Sequence, residues 1–239
     1  MFSPATFWLL CLSMAMLCLP GRADAQQRVD LELVLSVDAS GSVDEDEYLL
    51  QMQGIAKAFR DPVVQRIITQ GEHGAIAVAM VVWADALTQK SETPWFLVSN
   101  PAEAEVFAAT VETMPREVVG ATGIGAGLAW SIRKMERNGF EGTRRVVDVS
   151  GDGQETPPRD ITVLIPQARA MARSRGVVVN GLAILSDEPD LERWYDDHVR
   201  TGRNSFVFVA DGFEDFARAM RLKLIREIRG FEMLASYTQ

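Results

Sequence analysis

Cysteine and histidine are nearly missing from this 239-residue chain, at two residues each. The thiols, Cys11 and Cys18, both lie in an apolar run over residues 7–19 that ends at Pro20-Gly21 and precedes the small-x-small sequence Ala23-Asp24-Ala25. That arrangement reads as a secretory signal peptide over residues 1–25. The run is shorter than the roughly 20 residues a spanning helix needs, and no later stretch approaches that length. Cleavage after Ala25 removes one base, Arg22, and one acid, Asp24, so the charge stays at −9 and no cysteine remains. An exported chain of this kind has no structural disulfide, no thiolate metal site and no cysteine nucleophile. Positive charge is also short, with 24 Lys and Arg against 33 Asp and Glu and no basic run. Nucleic acid and anionic membrane surfaces are thereby excluded as general partners.

What is present is globular. Hydrophobic residues make up 47% of the chain and charged residues 24%, a balance that fits one ordinary domain over residues 26–239 and argues against disorder or a coiled coil. Short apolar runs at residues 31–37, 75–83, 145–149, 177–185 and 205–209 read as strands, with a short edge strand at 95–98. Between them lie helical patterns. Residues 44–59 place Tyr48, Met52, Ile55 and Phe59 on one face. Asn100-Pro101-Ala102-Glu103 has the spacing of a capped helix start. Ile124, Leu128, Ile132 and Met135 form the face of another helix, closed by Asn138-Gly139. Further helices are expected up to Arg175, over 190–200 and over 212–230. Strict alternation of strand and helix implies a mostly parallel sheet covered on both faces, in which ligands bind beyond the carboxyl ends of strands where the strand order reverses.

Three segments at such ends carry oxygen ligands. Asp38-Ala39-Ser40-Gly41-Ser42 follows the first strand, Thr122 sits within Gly120-Ala121-Thr122-Gly123-Ile124-Gly125, and Ser150-Gly151-Asp152-Gly153 follows a later strand. Alternation in the first segment lets Asp38, Ser40 and Ser42 aim at one point. Two carboxylates meeting there repel unless a cation separates them. Carboxylate and hydroxyl donors without imidazole or thiolate form a hard set suited to Mg2+ rather than to Zn2+. A helix cap at Ser42 or Asp44 would explain one of these residues but not three.

Asp38-x-Ser40-x-Ser42, the distal Thr122 and Asp152-Gly153, in that order on an alternating chain, resemble the metal ion-dependent adhesion site (MIDAS) of the von Willebrand factor A (vWFA) domain. The resemblance covers about residues 29–230. Asn180-Gly181-Leu182-Ala183-Ile184, Phe216-Ala217 and residues 223–228 resemble, more narrowly, an uncharacterised exported bacterial family within that superfamily. The resemblance implies a Rossmann-like three-layer α/β fold, its six-stranded sheet mostly parallel with one short antiparallel edge strand at residues 95–98. It implies Mg2+, or alternatively Mn2+ or Ca2+, held by Asp38, Ser40, Ser42, Thr122 and Asp152, partly through water. It also implies a protein partner that donates an acidic side chain to the metal, and no enzyme activity.

The third loop departs from the family pattern by an extra glycine, Gly151, and by an acid inside the strand, Asp148, which reads either as a buried polar residue with a local partner or as a group orienting the site. Ser150 in its strand-to-helix turn, with Asp187 and His198 following in chain order, is the alternative signature of a serine hydrolase. Its turn lacks the glycine two residues before the nucleophile, a place that Asp148 fills. Phosphoryl transfer through Asp38 is a weaker alternative, because Ser40 stands where a second acid is expected. A structural domain with an empty site is the third. The expected protein is therefore periplasmic or secreted, binds a divalent cation and recognises another protein through it.

Overall fold

The computed structural model describes residues 26–136, 138–156 and 162–235, with side chains to residue 230. The signal peptide assigned to residues 1–25 and the helix breaker Pro158 lie outside the described residues.

The first strand, β1 (Gln27–Asp38), is buried on both faces over most of its length, as its continuous apolar run requires. It pairs in parallel with β2 (Ile76–Trp83) on one side and β5 (Phe140–Gly151) on the other. Beyond β5 come β6 (Val178–Ile184) and β7 (Val207–Ala210), also parallel. The outer edge of β2 carries two antiparallel pieces, β3 (Ser91–Glu92) and β4 (Phe96–Val98). The sheet therefore has seven strands but six positions across. The antiparallel edge expected at residues 95–98 is present, and β3 extends it after a break at Pro94.

Helices cover both faces. On one lie α1 (Glu45–Arg60), α2 (Pro62–Ile68), α3 (Pro101–Glu112) and α7 (Phe216–Ala235), packed on Leu31, Leu33, Leu35 and Val37 of β1. On the other lie α4 (Ile124–Lys134), α5 (Ile165–Ser174) and α6 (Leu191–His198), packed around Val34, Val147 and Val149. The two-residue period of β1 and β5 thus divides their side chains between two cores. No helix among the described residues is long and apolar enough to cross a membrane.

Helix starts follow the side-chain chemistry. Asp44 caps α1 by accepting from the backbone N–H of Glu47 at 2.8 Å, while Glu47 accepts from that of Asp44 at 2.8 Å. Asn100 accepts from Glu103 at 3.0 Å to open α3. Helix α2 is too short to show an apolar period, yet Asp61 accepts from both Val63 and Val64 and Pro62 sits at its first turn. The last helix runs past the expected end at Gly230, where φ of 67° marks a kink rather than a stop.

Strand order sets where a ligand can sit. The chain leaves β1 for β2 on one side and later returns to β5 on the other, so the order reverses at β1. The crevice lies outside its carboxyl end, at Asp38.

Candidate metal centre

Burial at that crevice is high: Asp38 and Ser40 have no exposed surface, and Asp152 keeps only 3%. Asp38 ends β1 opposite Trp83 of β2, and its Oδ1 accepts from the backbone N–H of Ser40 at 2.7 Å. Ser40 and Ser42 place their hydroxyls 3.3 Å apart. Thr122 donates to the Ser40 hydroxyl at 3.2 Å, and Ser42 donates to Asp152 Oδ1 at 2.8 Å. All five residues singled out from the sequence are brought together, with their oxygens linked from Thr122 through Ser40 and Ser42 to Asp152.

Three loops are stitched around this array. The Gly41 N–H donates to the Gly120 carbonyl at 2.7 Å, joining the first loop to the second. Gly120 has φ of 147°, and a β-carbon there would stand 2.7 Å from that of Asp85, so only glycine fits. Thr156 joins the second loop to the third, donating its N–H to the Thr122 carbonyl at 2.9 Å and accepting from the Thr122 N–H at 3.3 Å. Glu155 supplies the N-terminal partner that α4 lacks at Gly123, accepting from the Gly125 N–H at 2.8 Å. From further away, Arg116 donates to the carbonyls of Ala39 and Ser40 at 3.3 and 2.9 Å, and Gln51 to that of Asp38 at 3.1 Å. Sequence spacing carried no signal for Arg116, Gln51 or Thr156, because each serves the loop backbone from a distant segment.

The extra glycine of the third loop has a packing reason. A β-carbon on Gly151 would lie 2.6 Å from the Tyr195 hydroxyl and 2.9 Å from Asp38 Oδ2. Gly151 thus lets β5 pass close to Asp38.

Electrostatically, among the described residues no cation touches the carboxylates of the centre, although the Arg116 charge acts to lower Asp38. Asp38 Oδ2 and the Tyr195 hydroxyl are buried without a hydrogen-bond partner among the described residues. Burial pushes the Asp38 carboxyl up to about 7 against the lowering effect of Ser40, and Asp152 adds to the rise. Asp152 is itself raised, first by burial and then by Asp187 and Glu188. Two carboxylates held this way need a proton or a cation between them. The residues present fit a hard divalent ion: two carboxylates, three hydroxyls and one carboxylate oxygen left without a donor.

Asp148 does not belong to this array. It sits inside β5 with Lys223 Nζ 2.5 Å from its Oδ1, and Lys223 is also 2.5 Å from Glu227 Oε1. Asn180 donates to the same Glu227 oxygen at 2.9 Å. The reading of Asp148 as a buried residue with a partner therefore holds, and that partner is Lys223 of α7. Ser150 is buried, and its hydroxyl has no hydrogen-bond partner among the described residues. His198 lies on α6, stacked on Trp194, with Nδ1 3.0 Å from the Trp194 carbonyl. Among the described residues Ser150 makes no contact with a histidine, so the hydrolase signature has no geometric support there.

Comparisons with known proteins bear on the fold. The family model described as "Protein of unknown function (DUF1194)" matches residues 28–232. No curated protein matches the chain. Among solved structures, the pilus adhesin SpaC from Lactobacillus rhamnosus GG, in its open conformation, superposes with a TM-score of 0.61 at 13% identity over 84% of this chain and 30% of the adhesin. Proximal thread matrix protein 1 from the mussel byssus gives 0.55 at 17% identity over 84% of this chain and 48% of that one. The same byssus protein with a zinc-occupied MIDAS motif gives 0.57 at 18% identity, with the same coverage. The chain thus spans a third to a half of these proteins. At such identities the likeness is one of fold, and that fold is vWFA-like, three-layered and mostly parallel. The chain belongs to the DUF1194 family.

Proposed function

We propose that this DUF1194 member is an exported binding protein whose vWFA-like domain, over residues 26–239, holds Mg2+, or Mn2+ or Ca2+ in its place, through Asp38, Ser40, Ser42, Thr122 and Asp152. The observation that carries this is Asp38 Oδ2, fully buried and without a hydrogen-bond donor beside a second carboxylate and three hydroxyls. A cation bound there supplies the missing positive charge and a Lewis-acidic position open to a carboxylate from another protein. The chain's own residues do the rest: Arg116 and Gln51 fix the first loop by its carbonyls, and Gly151 lets β5 approach Asp38. The hydroxyls of Ser40, Ser42 and Thr122 serve as neutral ligands without deprotonation, so the two carboxylates alone balance the charge of a divalent ion. Recognition of a partner's acidic side chain, rather than catalysis, is the use this arrangement supports. An extracytoplasmic location follows from the signal peptide read over residues 1–25.

The test is a thermal melt with millimolar Mg2+, Mn2+ or Ca2+ against chelator. A ligand confined to the folded state stabilises by about 2.7 kcal/mol at 100 times its dissociation constant. The same chain with Asp38→Ala is expected to lose that response, and to lose any partner captured from an envelope fraction in a chelator-sensitive manner. No midpoint shift with any of the three ions would refute the metal assignment.

A further inference from the structure

At the opposite end of the sheet, far from the candidate metal centre, a second pocket has the reverse electrostatic character. It encloses about 350 Å3 between the amino-terminal ends of β5 and β6, the turn before β7 and the end of α7. In a chain of net charge −9, its wall carries four guanidinium groups, from Arg144, Arg145, Arg203 and Arg226, against one carboxylate, Glu227. That carboxylate is already engaged by Lys223 and Asn180.

The four arginines are not consumed by the contacts they make. Arg144 spends one N–H of each terminal nitrogen on the Glu227 and Ile228 carbonyls, at 2.6 and 2.8 Å, leaving three of the five a guanidinium owns. Arg145 donates to the Arg175 carbonyl through one terminal nitrogen. Arg226 sits over Phe206, its guanidinium carbon 3.9 Å from the ring centroid. A contact with the ring face consumes none of its N–H donors, which stay available to a bidentate oxyanion. Arg203 is exposed, and among the described residues neither it nor Arg226 has an ion-pair partner. Like charges gathered on one concave wall repel each other, and an anion seated among them relieves that repulsion. Phe206, Val146 and Val178 supply apolar wall beside the charges, and the volume is that of a small-molecule site.

We propose that this pocket binds a small organic oxyanion carrying more than one negative charge, either a phosphate ester or a polycarboxylate. Four fork-shaped donors around an apolar wall select delocalised oxygen anions over halide, and the enclosure favours a small molecule over an extended acidic peptide.

Isothermal titration of the full chain, stripped of metal by a chelator that is then dialysed away, at fixed ionic strength, tests this with inorganic phosphate, citrate, an acidic peptide and chloride as probes. Working on metal-free protein makes the result independent of the metal reading, and removing the chelator keeps a polycarboxylate from competing. Saturable binding of phosphate or of citrate is expected, and whichever binds tighter identifies the source. Arg203→Ala, at an exposed position where no fold-supporting contact is lost, should weaken binding about tenfold, and Arg226→Lys, which keeps charge but not the planar fork, by a smaller factor. Asp38→Ala should leave it unchanged. Chloride competing as well as phosphate and citrate, binding unaltered by Arg203→Ala, or heat only with the acidic peptide would each overturn the proposal.

Discussion

Asp148 lies inside β5 and Asp152 just past its end, both almost wholly buried, and they differ in what stands beside them. Asp148 meets an ammonium from its own chain, because Lys223 of α7 reaches it and Glu227 together while having no exposed surface itself. Asp152 meets hydroxyls, and the carboxylate it shares the crevice with, Asp38, keeps an oxygen with no donor. Where two buried carboxylates serve the fold, this sequence places a fixed cation between them. At the strand ends it places three hydroxyls, and the guanidinium set against that loop, Arg116, bonds to the Ala39 and Ser40 carbonyls and to neither carboxylate. The contrast matters because a buried charge without compensation costs several kcal/mol, which a fold of ordinary stability does not tolerate idly. The centre at Asp38 is thus left to be neutralised by a proton or, on the function proposed above, by a cation from outside.

The sharpest way to break the comparison is to remove the internal cation. Lys223→Met strands Asp148 and Glu227 together in the core and is expected to cost about 3–5 kcal/mol in denaturant unfolding. No loss would mean that Lys223 is not what neutralises the pair, and the contrast with Asp38 would collapse. The pH dependence has a definite sign. Burial, and then the Glu227 carboxylate, push Asp148 up to about 7 from an ordinary 3.8. A carboxyl raised in the folded state binds more protons there than in the unfolded chain over that interval, so its contribution to stability is full below pH 4 and is lost as the pH rises towards 7. With Lys223 gone Asp148 loses the charge that lowers it and is held higher still, so the variant's deficit should narrow at pH 5 relative to pH 8.

A smaller effect distinguishes the two clusters directly. Asp38→Asn keeps an oxygen to accept from the Ser40 N–H and removes one buried charge, so in chelator its stability should hold or rise by about 1 kcal/mol. Its response to Mg2+ should vanish. Asp148→Asn should do the opposite, lowering stability with or without metal while leaving the Mg2+ response intact. If both variants kept the response, the metal would have to be bound elsewhere.

Much of this was legible before any coordinates. The alternation of Asp38, Ser40 and Ser42 after a strand, Thr122 in its glycine-rich helix entry and Asp152 after a second strand are local patterns, and local patterns survive in a sequence. The doubly covered β1 is similarly plain, since a strand apolar on both sides has nowhere to go but the centre. What was hidden is long-range. Lys223 and Glu227 stand one helical turn apart on an amphipathic helix, where a charged pair reads as solvated decoration; only the packing of α7 on the sheet shows that this face turns inward towards Asp148. Arg116 and Gln51 bond to carbonyls, and a carbonyl leaves no trace in residue identity. Helix α2 and strand β3 are shorter than the periods that would announce them. Gly151 looked like a departure from a motif and is instead the residue whose missing side chain lets β5 pass close to both Tyr195 and Asp38.

Ser150 gives the comparison its finest probe, because the same residue type appears on both sides of it. Ser40 and Ser42 sit in a loop, where successive side chains can converge, and their hydroxyls join the oxygen array. Ser150 still belongs to the pleat of β5, with Val149 turned to one core and Ser150 therefore on the side of Asp148. Its hydroxyl is buried and unpartnered among the described residues. Removing such a group takes away a desolvation penalty of about 1–3 kcal/mol while losing little contact. Ser150→Ala is thus expected to change stability by no more than about 1 kcal/mol, towards greater stability, and to leave the Mg2+ midpoint shift as it is. A variant that lost the shift would move Ser150 into the ligand set. The boundary between the fold's own charge cluster and the metal centre would then lie two residues earlier on β5, before Ser150 instead of at Asp152.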